Sequence, residues 1–224
     1  MVIKQLANMK SVNNNSVSFL SYETKEEAPL KILFLGTMHG EEPQGDFLIN
    51  KFLEKIKDEK PVYKNNLYFI PCLNPDGKEL GQRGNLNKVD LNRNFKTKNY
   101  EVTTFDDGTT SGKFAQSEQE VSFLAFVVDR YKFDVILSIH APFEIVNFDG
   151  PAKNIAQKIS DITGYPVQAD IGYPTPGSFG TFCGVDRNIP IITLEVSDKM
   201  NEDELWAQNQ PVFEYLANLT SKNL

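Results

Sequence analysis

An α/β domain is predicted by three observations. Short apolar runs alternate with amphipathic segments, each run has the length of a buried strand, and no Pro/Gly/Ser-rich tract divides the 224 residues. The elements follow in order. "KILFLG", from Lys31, reads as a strand, and "QGDFLINKFLEKI" carries apolar residues at helical spacing. "NLYFIPCL" reads as a second strand that stops at Asn74-Pro75-Asp76-Gly77, a turn signal. From there to Phe114 the chain is rich in Asn, Gly, Lys and Thr without a sustained period. Irregular stretches of that length in a compact domain are usually functional or mobile.

Regularity returns at "SEQEVSFLAFVVDRY", where Ser117 and Glu120 have capping-box spacing ahead of an apolar helical face. "FDVILSIH" is a third buried strand and ends on His140; "GPAKNIAQKISDIT" reads as a helix. "IPIITLEV" is a fourth strand, interrupted near its end by Glu195, and "EDELWAQNQPVFEYLANL" closes as a helix with a kink expected at Pro211. There is no internal repeat or low-complexity tract.

Composition narrows the function. The chain is 40% hydrophobic, enough for a substantial core, and its formal charge of −7 provides no basic stripe for nucleic acid. The opening "MVIKQLANMKSVNNNSVSFL" lacks a continuous apolar segment of the signal-peptide kind, and no run has the length of a membrane span. Two cysteines, Cys72 and Cys183, do not make a disulfide framework. These features predict a cytoplasmic protein whose partner is neither nucleic acid nor membrane.

The chemistry-bearing residues gather at strand ends. Both histidines of the chain sit there, His39 after the first strand and His140 at the end of the third. In open α/β sheets, sites form outside the carboxyl ends of strands. His39 and Glu42 are three apart, so a tight turn can aim both at one ion, with Glu41 competing for the carboxylate role. Two histidines and one glutamate form an established catalytic zinc set that leaves a coordination position for water. Glu195 is costly to bury unless it is paired or functional, and an acid outside the coordination sphere can carry a proton from water to a departing amine. The irregular loop "GQRGNLNKVDLNRNF" adds Arg83 and Arg93. A fixed cation can face an oxyanion, and Arg93 between Asn92 and Asn94 offers planar donors suited to a carboxylate.

Four motifs in this order, "MHGEEP", "NPDG" followed by Arg83 and "DLNRNF", "SIH" and "ITLE", resemble the zinc carboxypeptidases of the metallocarboxypeptidase superfamily. The resemblance implies one catalytic domain, residues 1–224, with a mixed central β-sheet flanked by helices. It implies one Zn2+ per chain on His39, Glu42 and His140, with Glu195 as general base and acid. It further implies Arg83 as oxyanion stabiliser, and Asn92 and Arg93 as holders of the substrate's free carboxylate. "YPTPGSFGTFCG" and the short chain resemble the murein tripeptide amidases, which cleave between γ-D-glutamate and meso-diaminopimelate during cell-wall recycling. Tyr173 is the candidate for the mobile tyrosine of the digestive enzymes, although no residue sets their single-side-chain pocket.

The expected function is therefore zinc-dependent hydrolysis of an amide next to a free carboxylate, in a small peptide. The alternatives are a general zinc carboxypeptidase, an N-acyl amino acid deacylase with the same HxxE and distant His, or a non-catalytic peptide binder. "NPDG" and "DLNRNF" count against the deacylase, and an intact Glu195 counts against the binder. The thiols are expected to be non-catalytic, though both stand close enough in sequence to approach the site.

Overall fold

The structure is a computed structural model and describes residues 2–27 and 29–221. Seven strands form one sheet: β1 Ile3–Lys10, β2 Ser16–Tyr22, β3 Lys31–Leu35, β4 Asn66–Ile70, β5 Val135–His140, β6 Ile145–Asp149 and β7 Ile191–Glu195. Their spatial order is β1-β2-β4-β3-β5-β7-β6. The four predicted strands make the parallel centre, β4-β3-β5-β7, while β1, β2 and β6 join antiparallel at the margins. The sheet is mixed, as the resemblance implied.

Burial on both faces explains why the central strands read as continuous apolar runs. Alternate residues of β3 separate into two cores. Ile32 and Phe34 pack with Leu48, Phe52, Ile155 and Phe213, whereas Leu33 and Leu35 pack with Leu124, Val128, Phe95 and Phe182. The first core lies beneath α1 Gln44–Glu59, α4 Lys153–Thr163 and α5 Glu202–Ala217; the second lies beneath α3 Gln119–Tyr131.

The structure departs from the sequence reading at β1, β2 and β6, which that reading did not identify, and in its helices. "NPDG" opens a short helix, α2 Pro75–Leu80, in which the Asn74 side chain accepts from the Gly77 amide. Ser117 and Glu120 form no capping box: α3 begins after Glu118, whose amide donates to Asn94 Oδ1 from the loop. That motif appears instead at α5, between Asn201 and Glu204. Finally, α5 runs through Pro211 as one assigned helix. Among the described residues, no helix is long and apolar enough to cross a membrane.

Candidate active site

The parallel strands deliver the site. Leu35 at the end of β3 pairs with Ser138 of β5, and His140 at the end of β5 pairs with Glu195 at the end of β7. His39 follows β3 by a tight turn. Thr37, fully buried at φ +44°, donates its hydroxyl to the Glu42 carbonyl and accepts from the Asp46 amide, which locks the turn onto the start of α1.

This turn is laced to the loop after β4. The Asn74 side chain donates to the Met38 carbonyl, and the Gly40 amide donates to the Arg83 carbonyl. A Cβ on Gly40 would stand 2.0 Å from the Gly77 carbonyl carbon, so only glycine allows the backbones to approach so closely. The "MHGEEP" and "NPDG" motifs are two halves of one interlocked corner.

His39, Glu42 and His140 are all buried, and their ligating atoms lie within 4.8 Å of one another. Glu42 takes His39 Nδ1 on one oxygen at 2.8 Å and His140 Nδ1 on the other at 2.9 Å. Glu41, the competitor, is exposed and outside this trio. The two Nδ1 atoms are 3.3 Å apart. That separation matches the edge of a tetrahedron, about 3.3 Å for ligands at the ~2.0–2.1 Å of zinc–nitrogen bonds. Asp90 Oδ1 lies 3.1 Å from His39 Nε2. A carboxylate only accepts, so Nε2 carries a proton; a metal ion at the centre would take the place of the Nδ1 proton and receive that nitrogen's lone pair. Ser138 Oγ, 3.0 Å away, occupies Nε2 of His140. Donor chemistry and spacing both fit a zinc ion.

The electrostatics agree with a cation-seeking cluster. Burial pulls the His39 pKa down, but the Asp90 and Glu42 carboxylates outweigh it and push the ring up to about 9. Burial opposes ionisation of Glu42 and Asp90, yet the neighbouring histidines, with Arg83 beside Asp90, hold both well below the usual carboxylate range.

A cavity of ≈ 730 Å³ opens over the trio and is also lined by Arg83, Asn92, Arg93, Tyr173 and Glu195. All eight residues singled out in the sequence thus face one space. Arg83 donates through Nε to Asp90 Oδ2 at 2.9 Å, which places its Nη1 3.7 Å from Glu42. Arg93 is buried and its Nη1 donates to the Asn92 carbonyl; no carboxylate among the described residues comes within ion-pair distance of it. The Asn92 carbonyl oxygen Oδ1 accepts from the Phe179 amide, which ties the arginine loop to the segment following Tyr173. Tyr173 itself is 48% exposed at the mouth.

Glu195 has no arginine partner. Its Oε2 is a buried oxygen without a hydrogen bond, and burial raises its pKa. Asp90 was missed by sequence reasoning: it stands inside "DLNRNF", but only the fold shows it bridging His39 and Arg83. The thiols do not line the cavity; Cys183 is fully buried in the second core, and burial pushes the Cys72 thiol up to about 12.

Comparison with known proteins agrees with this geometry. The zinc carboxypeptidase family profile matches residues 4–161. Murein peptide amidase A of Vibrio campbellii is 31% identical over 189 residues, covering 79% of this chain and 73% of that protein. The Escherichia coli K12 protein of the same name is 30% identical over 190 residues, covering 78% and 76%. Among solved structures, the murein-tripeptide amidase of E. coli O157 superposes with a TM-score of 0.75 at 23% identity, over 95% of this chain and 92% of that one. Thrombin activatable fibrinolysis inhibitor superposes with a TM-score of 0.80 at 17% identity, over 100% and 70%. At these identities the superpositions speak for the fold.

Proposed function

The chain belongs to the zinc carboxypeptidase family, and from that premise we propose that this hydrolase cleaves the γ-D-Glu–meso-diaminopimelate bond of free murein tripeptide. The observation that carries the reading is Arg93, a buried guanidinium on the cavity wall with no carboxylate of its own. A buried unpaired cation is costly, and a substrate carboxylate in the cavity would relieve it. Two amidase relatives at about a third identity over most of their length support the choice of a murein peptide.

His39, Glu42 and His140 would hold one zinc ion, which when bound acts as a Lewis acid and makes water a nucleophile at neutral pH. The protein's side chains do the rest. Arg93 grips the free α-carboxylate of the leaving residue, helped by Asn92, and sets the scissile carbonyl before the metal site. Glu195, with one buried oxygen free of hydrogen bonds, takes the proton of the attacking water and passes it to the departing amine. Arg83, anchored by Asp90, faces the oxygen that becomes negative. Tyr173 at the mouth covers the bound peptide.

The whole chain, 1–224, acts as one catalytic unit on small soluble peptides, without nucleic acid or membrane as partner. Two free cysteines suit the reducing cytoplasm, where recycled wall peptides would be met. The test is mass spectrometry of products from L-Ala-γ-D-Glu-meso-diaminopimelate, with and without chelator, beside the corresponding tetrapeptide. Chelator-sensitive release of free diaminopimelate from the tripeptide is expected. Equal cleavage of the tetrapeptide, whose carboxylate is blocked, would overturn the reading.

A further inference from the structure

The long loop that carries both arginines folds back on itself as a small hairpin whose tip reaches the cavity. Thr104 bridges Thr110 antiparallel, and Thr110 in turn bridges Val89, the residue before Asp90. The Asp90 amide donates to the Thr110 carbonyl, so the hairpin is built on the segment whose acid holds His39 and Arg83. The tip is a tight turn in which the Gly108 amide donates to the Phe105 carbonyl. Thr104, Asp106, Asp107 and Gly108 are exposed there, whereas Phe105 is half-buried and lines the cavity.

The tip sends a different side chain to each arginine. Asp107 is pinned by the amide and the hydroxyl of Thr109, and its other oxygen lies 3.9 Å from Nε of Arg83. Phe105 stands over Arg93, with its ring centroid 6.0 Å from Cζ. The difference suits the two tasks. Arg93 is buried, and among the described residues the Asn92 carbonyl is the one acceptor of its guanidinium. An aromatic ring attracts a guanidinium through its π face and occupies none of the N–H groups. An acid in the same place would pair with the fork permanently and compete with any carboxylate that enters.

We propose that Phe105 is a positioning residue for Arg93, whose ring steadies the guanidinium while leaving the N–H fork free for the substrate's carboxylate. The inference rests on the carboxylate-binding role given to Arg93 in the amidase reading. Phe105 acts through Arg93 and has no part in metal binding or proton transfer, so its ring contributes affinity and not turnover. Removing the aromatic face loosens the fork. Replacing it with a carboxylate fills the fork from within the protein and closes it to substrate.

The test compares Phe105→Tyr, Phe105→Leu and Phe105→Glu, each alone and combined with Arg93→Ala, with zinc content and melting temperature reporting the fold. Hydrolysis of L-Ala-γ-D-Glu-meso-diaminopimelate gives kcat and KM. Isothermal titration of the zinc-loaded proteins with free meso-diaminopimelate gives affinity without turnover. Phe105→Tyr should match wild type. Phe105→Leu should raise KM and weaken diaminopimelate binding by roughly 2- to 30-fold, the range of a cation–π contact, with kcat little changed. Phe105→Glu should bind more weakly still. In the Arg93→Ala background the three replacements should make no difference, because residues that act as a unit are not additive. Affinity indifferent to the residue at 105, a fall in kcat at unchanged KM, or equal losses with and without Arg93 overturns the proposal. If Phe105→Leu does not fold, Phe105→Tyr against Phe105→Glu decides. Should Arg93→Ala alone leave affinity unchanged, the carboxylate role falls and the proposal with it. Binding that depends on Phe105 and Arg93 without cleavage of the tripeptide keeps the proposal and removes the amidase reading.

Discussion

The Asp90 carboxylate lies 3.1 Å from Nε2 of His39, and its second oxygen accepts from Nε of Arg83 at 2.9 Å. One buried acid thereby fixes the ring of a proposed metal ligand and the guanidinium proposed to face the oxyanion. Loss of such an outer partner typically costs ~10- to 100-fold in metal affinity or activity. Asp90→Asn should therefore weaken zinc binding in competition with a chelator and lower kcat together. An unchanged zinc affinity would show that His39 is held by other contacts.

The ligand trio gives the most direct test. His39→Ala or His140→Ala should lower zinc content and abolish turnover in parallel, as read by elemental analysis of the purified variants. Full occupancy in both variants would remove these residues from the metal site.

Glu195 should separate metal binding from chemistry. Glu195→Gln is expected to retain zinc and lose at least the ~10²–10⁴-fold typical of general acid–base catalysis. If zinc is lost instead, Glu195 is a ligand and the role of Glu42 must be reassigned.

The two arginines should divide kcat from KM. In the proposed role Arg83 meets charge that develops only during reaction, so Arg83→Ala should lower kcat with little change in KM. In the proposed role Arg93 binds a carboxylate already present in the substrate, so Arg93→Ala should chiefly raise KM. Arg93→Lys should rescue it poorly, because a planar fork matches a carboxylate better than a point charge does. An Arg93→Ala enzyme of unchanged KM would contradict the proposed substrate orientation.

Acid stability should report on Asp76, away from the metal ligands. Burial opposes its ionisation, but donation from the Ser11 hydroxyl, the Asn13 amide and the Asn15 side chain holds its pKa below the usual range. A folded pKa below the unfolded one stabilises the protein above the unfolded value of about 4, and that contribution is lost as pH falls through the folded value. Asp76→Asn should thus be less stable than wild type at neutral pH, with the gap closing in acid. Melting temperatures measured across the acid range decide this; parallel curves would exclude a role for the Asp76 charge.

Legibility in the sequence followed burial. β3, β4, β5 and β7 are central and largely apolar, and they are readable as runs. β1 is half-exposed along its length, and β6 is buried only at Ile145 and Val146, so neither leaves such a signature. The capping-box spacing at Ser117 misled for a different reason: a distant asparagine, Asn94, supplies the acceptor for the Glu118 amide. The residues facing the cavity were readable because their types are unusual at strand ends. Asp90 was not, since its partners are 51 and 7 residues away and nothing local announces either contact.

The position of His140 has a consequence for how the protein folds. His39 and Glu42 are near neighbours in any conformation, but His140 is 98 residues beyond Glu42 and arrives only through the pairing of β3 with β5. Closing a loop of that size in a disordered chain carries an entropic cost, and an ion held by two local groups gains too little to offset it. The complete coordination set is therefore a product of sheet assembly. A zinc ion held by all three would discriminate for the native state, raise stability by mass action and act as a latch on a finished fold.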